Sequence, residues 1–292
     1  MLLPIRLVRG GWPRWLERRA HRFFYTDPAV LVDDDASPED YRSVMLGIHI
    51  GGTIKITAAG RHLDIDPLLL DNVDLAGARI VDIGASDGST SMDLIDALPE
   101  FASYTISDLY IEVPWARTAK HLFLFDKHQT SILVAGRRFL AWPELSRTVA
   151  ALYAPLVRRG RKQPQQLTTL LNPQVRARMR TDPRVTYREH DVFETWAGER
   201  PDVIKVGNLL RRFYFDDADL SRALRAVHAS LADDGHFFIV DHTRDPGRPP
   251  AGGLYRRTPA GFARVATTPT QPEIEDLILA VDVSELTPRT GT

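Results

Sequence analysis

Short apolar runs and helical patterns alternate along much of the chain. Five runs of apolar and β-branched residues predict strands: RIVDIGA (79–85), SYTISD (103–108), VTYREHD (185–191), DVIKVGN (202–208) and HFFIVD (236–241). Two further segments, 89–98 and 216–231, carry apolar residues at helical spacing. Strands that alternate with helices in this way predict an α/β fold built on a parallel sheet.

The regular alternation is interrupted after the second predicted strand. The strand at 185–191 lies far beyond the point where a regular βαβ array would place it. The gap holds two apolar runs around a polar turn (121–142), which predict a hairpin, and a basic helical pattern (143–162). We therefore predict an insertion at about 111–168 inside a domain of residues 75–292.

Residues 1–74 are predicted to form a helical and hairpin cap. The hairpin is predicted at 51–65, where residues alternate around a Gly-bounded turn. From Pro13 the apolar residues follow a helical pattern, with arginines elsewhere around the helix. This pattern predicts a helix that packs on the domain; contact with a membrane surface or a partner through its arginines is the alternative.

Composition narrows the class of protein. The chain has 292 residues, a formal net charge of −1 and no cysteine, which excludes disulfides and thiolate zinc sites and provides no overall attraction to nucleic acid. Arg6 and Arg9 interrupt the first apolar run, so the N-terminus does not resemble a secretory signal. No window reaches the roughly 18 apolar residues of a membrane span. We expect a cytoplasmic protein, with a membrane-peripheral location as the alternative; the oligomeric state stays open.

The turn after the first predicted strand, GASDG (84–88), is the place to look for a ligand, because ligands bind at the carboxyl ends of parallel strands. A dinucleotide site requires G-x-G-x-x-G. Here Ser86 replaces the middle glycine and the third glycine is absent. Asp82 and Asp87 would also place negative charge beside a pyrophosphate. We therefore interpret the turn as a site for a cationic ligand.

S-adenosyl-L-methionine is such a ligand, because it carries a sulfonium and an ammonium group and no phosphate. The stretch VDIGASDGST (81–90) resembles the first motif of class I S-adenosylmethionine-dependent methyltransferases. Asp82, Gly84 and Gly88 match that motif, and Ser86 is a mild departure from it. The resemblance implies S-adenosyl-L-methionine as cofactor and S-adenosyl-L-homocysteine as product. The residues it implies at this turn are Asp82, Gly84, Ala85, Ser86 and Gly88.

The resemblance implies further cofactor contacts at the ends of later strands. An acid after the second strand accepts hydrogen bonds from both ribose hydroxyls, and Asp108 stands there, followed by Leu109. A polar residue after the third strand reads the adenine amino group. Asp191 occupies that place, and Val192 and Phe193 would flank the ring.

The fourth strand also follows the family pattern, and Gly207 and Asn208 at its end complete the implied cofactor site. The stretch 202–239 is in addition locally similar to the chemotaxis-receptor glutamate methyltransferases, through Asn208, Tyr214, Phe215 and the acid-led helix that follows. The substrate of those enzymes is not implied by this local similarity.

The fold implied is α/β and Rossmann-like. It comprises a mostly parallel seven-stranded sheet with helices on both faces, an N-terminal segment, and a hairpin and helix insertion after the second strand. The motifs that carry the resemblance span about residues 78–242.

Methyl transfer is an in-line displacement, so orienting the acceptor is the main task, and a base is needed only where the acceptor must lose a proton. Histidine suits that role near neutral pH. His242, His190 and His49 are the catalytic candidates, although a structural role is an alternative for each. The sequence indicates no metal-ligand cluster, and we predict no metal.

The favoured function is methyl transfer to an oxygen of a small molecule or metabolite. One alternative is a protein or nucleic-acid methyltransferase that docks through the basic insertion, although a nucleic-acid partner is not favoured. Another is an inactive cofactor-binding regulator, and a nicotinamide-dependent oxidoreductase is more distant. The basic residues of the insertion are Arg137, Arg138, Arg158, Arg159, Arg161 and Lys162.

Overall fold

The structure is a computed structural model that describes residues 3–50, 53–54, 58–98, 100–242 and 249–283. Within these residues no helix is long and apolar enough to cross a membrane.

The described part of the chain contains strands and helices throughout. The strands are β1 (Ile5–Val8), β2 (Phe24–Tyr25), β3 (His49–Ile50), β4 (Thr53–Ile54), β5 (Ala78–Ile83), β6 (Phe101–Asp108), β7 (Glu112–Arg117), β8 (His121–Phe125), β9 (Ser131–Gly136), β10 (Phe139–Ala141), β11 (Gln166–Thr169), β12 (Val185–Glu189), β13 (Val203–Gly207), β14 (His236–Asp241), β15 (Ala251–Thr258) and β16 (Gly261–Thr267). The helices are α1 (Arg14–Arg19), α2 (Pro38–Met45), α3 (Pro67–Leu70), α4 (Ser89–Ala97), α5 (Arg147–Arg161), α6 (Pro173–Thr181), α7 (Asp217–Ser230) and α8 (Glu275–Leu279). Short 3-10 helices lie at His21–Phe23, Pro28–Val32 and Pro143–Leu145.

The chain divides into two compact units. The first comprises residues 1–57 and 110–177, and the second comprises residues 58–109 and 178–292. Each unit contains one seven-stranded sheet. A separate pair, β3 and β4, forms a short antiparallel hairpin. Of the hairpin predicted at 51–65, residues 51, 52 and 55–57 lie outside the described residues.

The first unit has the strand order β11-β7-β8-β9-β10-β1-β2, antiparallel except for the parallel pair of β1 and β2. Its core contains the buried side chains of Tyr41, Leu124 and Trp142. Helix α5 begins after Ser146, whose hydroxyl accepts a hydrogen bond from the Val149 amide.

Helix α1, which the sequence predicted to pack on the domain, has no buried residue. The Trp15 side chain on this helix is 63% exposed. The membrane or partner contact proposed for its arginines stays a prediction.

The second unit has the strand order β12-β6-β5-β13-β14-β15-β16. The first five strands in this order run parallel, while β15 pairs antiparallel with both β14 and β16. Strand β5 is the middle one of the five parallel strands, and five of its six residues are buried; parallel strands covered on both faces have this continuous apolar character. The parallel strands therefore end along one common carboxyl edge.

The predicted α/β, Rossmann-like fold with a mostly parallel seven-stranded sheet is confirmed in this coarse form. The sheets are mixed, however, and a second seven-stranded sheet was not predicted. The insertion, predicted as a hairpin and a helix, supplies β7 to β11, and its strand β10 pairs with β1 near the N-terminus. Local hydrophobic patterns do not indicate pairing between segments so far apart. The sequence therefore predicted only the hairpin formed by β8 and β9.

Candidate functional site

The predicted cofactor residues lie in the second unit, along the carboxyl edge of its parallel strands. Asp108 ends β6 and Gly207 ends β13. The amides of Gly84 and Ala85, just after β5, both donate to the carbonyl of Ser107 at 2.8 and 3.0 Å. The turn is thereby attached to the neighbouring strand β6.

The turn needs unusual backbone conformations. Gly84, Ser86 and Gly88 all have left-handed φ angles, of 75°, 59° and 77°. A Cβ on Gly84 would also lie 2.7 Å from the side chain of Leu209. Glycine is therefore required at Gly84 by conformation and by close approach, whereas Ser86 holds a conformation that costs an L-residue about 1–2 kcal/mol.

Ser86 joins the turn to the acid at the end of β6. Its amide donates to Asp108 Oδ2 at 3.0 Å, and Asp108 is buried apart from a 9% exposed fraction. The hydroxyl of Ser86 is buried and has no hydrogen-bond partner within the described residues. Buried hydroxyls in proteins are normally hydrogen-bonded, so this atom fits a polar ligand group at the turn.

Asp82, which is predicted to bind the cofactor, has several protein partners. Its Oδ2 accepts hydrogen bonds from the hydroxyls of Ser91 and Tyr104, at 2.8 and 3.0 Å. The Lys205 ammonium lies 3.8 Å from the same oxygen and 3.7 Å from Asp66 Oδ1. Asp82 therefore organises a buried polar cluster behind the turn; its contact with a cofactor stays a prediction.

Two further members of this cluster, Lys205 and Asp66, are also buried. Lys205 is fully buried, and its ammonium also donates to the Thr90 carbonyl. Both carboxylate oxygens of Asp66 are buried without a hydrogen bond in the described part of the chain. Burial raises the pKa of Asp66 to about 6, although the nearby Lys205 charge acts in the opposite direction. The cluster was not recognised from the sequence, where Lys205 was only one polar residue inside an apolar run.

The end of β13 carries a second polar group, built from Asn208, His62 and His242. The His242 amide donates to Asn208 Oδ1 at 2.6 Å, and Asn208 Nδ2 lies 3.3 Å from His62 Nε2. Because its oxygen faces the His242 amide, Asn208 presents its NH₂ group to His62. His62 Nε2 then accepts this hydrogen bond, and its ring proton lies on Nδ1.

Both histidines in this group are held in the neutral form. Burial, together with the positive charges of Lys205 and Arg61, lowers the pKa of His62 to about 2. Burial also lowers the pKa of His242, which is only half-buried, and the charge of Arg61 adds to the effect. The rings stack with centroids 6.5 Å apart. A Cβ on Gly207 would lie 2.6 Å from the His62 ring, so the glycine allows that ring to sit against β13.

His62 was missed by the sequence analysis. It lies in the segment before α3, which has no regular hydrophobic pattern. The only signal was the alternation of polar and apolar residues in GRHLDID (60–66), which does not distinguish a site residue from a surface loop.

The other predicted residues have the following places. His190 is buried, its ring contacts Trp196 edge-on at 4.9 Å, and its amide donates to the Asp108 carbonyl. Burial lowers its pKa. His49 belongs to the first unit, where burial also lowers its pKa. Leu109 follows β6 and is half-buried.

Asp191 accepts a hydrogen bond from the Phe193 amide at 3.0 Å, which forms a tight turn after β12. Val192 is buried in the core of the unit. The Phe193 ring contacts Phe215 edge-on and lies under the guanidinium of Arg222. The Phe193 ring therefore has protein partners, Phe215 and Arg222. Adenine recognition by Asp191, Val192 and Phe193 stays a prediction.

No group of three or more histidine, aspartate or glutamate side chains in the described residues is arranged to hold a metal ion. Acids nevertheless outnumber bases at the turn, since residues 82–91 include Asp82 and Asp87 and no lysine or arginine. The Asp87 carboxylate accepts a hydrogen bond from the Ser89 amide at the start of α4.

No protein-family model and no curated protein matches the chain. Among solved structures it is similar to the N-methyltransferase NodS from Bradyrhizobium japonicum WM9 in complex with S-adenosyl-L-homocysteine, with 16% identity over 62% of this chain and 59% of that one, at a TM-score of 0.33. The chain is also similar to the mitomycin 7-O-methyltransferase MmcR, with 18% identity over 76% of this chain and 44% of that one, at a TM-score of 0.34. A third similar structure is a variant of LepI in complex with S-adenosyl-L-homocysteine and a substrate analogue. Its identity is 13% over 66% of this chain and 36% of that one, at a TM-score of 0.34. The aligned region spans less than two thirds of each of these proteins, and each is a distant likeness.

Proposed function

We propose that the second unit binds S-adenosyl-L-methionine and that the protein transfers its methyl group to an acceptor, with an oxygen of a small molecule favoured. The observation that carries this proposal is the turn at 84–88, at the carboxyl edge of a parallel sheet, where the Ser86 amide donates to Asp108 and the buried Ser86 hydroxyl has no partner among the described residues. Ligands of α/β sheets bind at this edge.

The charge of the turn supports a cationic cofactor. Residues 82–91 include two acids and no lysine or arginine, and Asp108 adds a third acid beside the turn, while the Lys205 ammonium lies 3.8 Å from Asp82 Oδ2. A phosphate at the turn would lie near the carboxylates of Asp87 and Asp108, which repel it, whereas an ammonium or sulfonium group would be attracted. This argument disfavours a nicotinamide dinucleotide, whose pyrophosphate needs the opposite electrostatics.

In the bound state S-adenosyl-L-methionine supplies a methyl group that is already activated by its positive sulfur. The protein's own residues have distinct tasks around it. Asp108 would accept hydrogen bonds from ribose hydroxyls, and Ser86 would bind a polar group of the amino-acid portion. His242 is neutral and half-exposed, so it can accept a proton from an acceptor hydroxyl. Asn208 holds the His242 backbone in place.

Calorimetric titration of the full chain with S-adenosyl-L-homocysteine tests cofactor binding. We expect a saturable interaction, and Asp108→Ala should weaken it by about tenfold or more, because hydrogen bonds to a charged group are lost. Asp108→Asn keeps an oxygen for the Ser86 amide and should lose less affinity than Asp108→Ala.

Asp71→Ala is the matched control, since this exposed acid follows α3 in the same unit. Absence of binding at high micromolar ligand would contradict the proposal. Equal affinities of the wild type and Asp108→Ala would remove Asp108 from the site.

Transfer itself is tested by incubating the protein with radiolabelled S-adenosyl-L-methionine and fractionated cell extract. Label in a small-molecule fraction is the expected result, and His242→Ala should reduce the rate. Label in a macromolecular fraction would favour the protein or nucleic-acid acceptor. Cofactor binding without transfer to any fraction would identify an inactive regulator.

The unpartnered hydroxyl of Ser86 gives a more specific prediction. Ser86→Ala and Ser86→Gly both remove the Oγ, and each should weaken S-adenosyl-L-homocysteine by about tenfold, because a hydrogen bond in a buried site is lost. Ser86→Gly also relieves the left-handed conformation of this residue. Calorimetry on both variants checks the prediction. If both bind as the wild type does, the hydroxyl has no role in the cofactor site.

A further inference from the structure

The first unit contains an open cavity of about 330 Å³ between helix α5 and the start of β9. One wall is apolar and consists of Pro143, Ala150, Ala154 and Val157. The last three lie on one face of α5, because residues three and four positions apart share a face of a helix. The volume is at the lower end of the range for small-molecule pockets, so the cavity can take a small organic ligand.

Close packing of α5 on the sheet fixes the shape of this cavity. A Cβ on Gly160 would lie 2.7 Å from the Phe123 ring, so the glycine allows the helix to approach β8 closely. Phe123 packs with Phe125, Val134 and Val157 in a small core beneath the helix. The backbone of the last turns of α5, which carries Arg158 and Arg161, is thereby held against the sheet.

Ser131, the first residue of β9, also lines the cavity. The side chain is only 4% exposed, and its Oγ has no hydrogen-bond partner in the part of the chain that the structure describes. An unpartnered buried hydroxyl costs free energy unless a ligand or water satisfies it. The start of β9 therefore carries a polar group that suits a hydrogen-bonding ligand.

Arg158 and Arg161 also line the cavity. Among the described residues neither guanidinium has a carboxylate within 4.0 Å. Arg161 is anchored through its Nε, which donates to the Gln129 carbonyl at 2.9 Å. Two arginines that no described carboxylate neutralises form a site for a carboxylate or another oxyanion, since the guanidinium fork matches these groups.

Glu144 limits the charge of the ligand that fits. It lines the same cavity, and burial together with repulsion from Asp126 raises its pKa. With Glu144 ionised, the three charged groups that line the cavity carry a net charge of +1, and Asp126 adds negative charge near Glu144, so a monoanion fits better than a dianion. A ligand hydroxyl could also donate to this carboxylate.

We propose that this cavity is a binding site for a small monocarboxylate with an apolar body. Its carboxylate lies between Arg158 and Arg161 and accepts a hydrogen bond from Ser131 Oγ. Its apolar part covers the wall formed by Ala150, Ala154 and Val157. The site belongs to the first unit, and the proposal does not depend on methyltransferase activity.

Nuclear magnetic resonance titration of the full chain with benzoate tests this site. We expect saturable shifts confined to residues around the cavity, with an affinity in the millimolar range for so small a probe. Arg158→Gln and Arg161→Gln should each weaken benzoate about fivefold, a value reduced for the exposure of these side chains. Ser131→Ala should weaken it by a smaller factor, and Arg158→Lys should keep part of the affinity.

Arg159→Gln is the matched control, because Arg159 is adjacent on the same helix and does not line the cavity. Benzyl alcohol has the same ring without the charge and should bind at least fivefold more weakly than benzoate. Equal binding of benzyl alcohol, or equal losses in Arg159→Gln and Arg158→Gln, would overturn the proposal. Tighter binding of phenyl phosphate would overturn the assignment of a monocarboxylate, and absence of saturable shifts with benzoate would overturn the site itself.

Discussion

Lys205→Met is expected to lower the free energy of unfolding by about 3–5 kcal/mol, the usual cost of removing one partner from a buried ion pair. The Lys205 ammonium is fully buried and lies within 3.8 Å of the carboxylates of Asp66 and Asp82. Methionine fills a similar volume but leaves the two carboxylates without a positive charge. Asp82 still accepts hydrogen bonds from Ser91 and Tyr104, whereas Asp66 keeps none in the described structure.

Urea unfolding of the wild type and the variant at pH 7 measures this loss. Lys162→Met is the control, because Lys162 is exposed at the end of α5, and it should change stability by less than about 0.5 kcal/mol. The double variant Lys205→Met, Asp66→Asn removes one of the two uncompensated carboxylates and should recover part of the loss. A loss below about 1 kcal/mol in Lys205→Met would show that the cluster is not an electrostatic unit.

The cost of Lys205→Met should also depend on pH. Burial already raises the pKa of Asp66 to about 6 in the presence of Lys205, so without the lysine this carboxyl takes up a proton still more readily. At pH 5 Asp66 is then neutral, and only Asp82 lacks a positive partner. The difference in unfolding free energy between wild type and variant should therefore be smaller at pH 5 than at pH 7.

The parallel sheet of the second unit could be predicted because β5, β13 and β14 are short, mostly apolar runs that end in or just before a glycine or a polar residue. Strand β5 and helix α4 occupy nearly the residues predicted, and so do β13, β14 and α7. The first unit was predicted only in part. Its sheet joins Ile5 of β1 to Ala141 of β10, and such pairing depends on register between distant segments.

The candidate site shows the same division. Ser86, Asp108, Asn208 and His242 follow strands, and the topology of a parallel sheet brings such positions to one edge. His62 and Asp66, a partner of Lys205, could not be predicted in the same way, because they precede β5 in a segment whose short alternation does not mark site residues. Their roles arise from packing against β13, which only the three-dimensional structure reveals.

His62→Gln is expected to change how stability depends on pH. The pKa of His62 falls from 6.5 in an ordinary environment to about 2 in the folded protein, chiefly because of burial. Below pH 6.5 the unfolded chain binds a proton that the folded protein excludes, so the stability that His62 contributes is complete above pH 6.5 and is lost as the pH falls towards 2. Between pH 6.5 and pH 4 this loss amounts to about 3 kcal/mol.

The prediction concerns the difference in unfolding free energy between the wild type and His62→Gln. It is not made for either protein alone, because other groups stabilise the folded state as the pH falls. Burial raises the pKa values of Asp66 and Asp241 to about 6, so these two carboxyls favour the folded state as the pH falls below 6. Both residues remain in His62→Gln, and their effect cancels in the comparison. Urea unfolding at pH 7 and pH 4 measures this difference. The unfolding free energy of His62→Gln relative to that of the wild type should be about 3 kcal/mol higher at pH 4 than at pH 7.

Glutamine is the appropriate replacement because its side-chain oxygen can accept the hydrogen bond that Asn208 Nδ2 donates to His62. Leu63→Gln is the control, since this neighbour is exposed and does not titrate. If the two stability curves of wild type and His62→Gln stay parallel from pH 7 to pH 4, His62 is not excluded from protonation in the folded protein. If they diverge as expected, the neutral ring of His62 fixes the orientation of Asn208, and Asn208 in turn holds the backbone of His242 at the end of β14. The pH at which this histidine group loses its hydrogen bonds would then be set by the stability of the whole unit, because His62 can be protonated only when the structure around it opens.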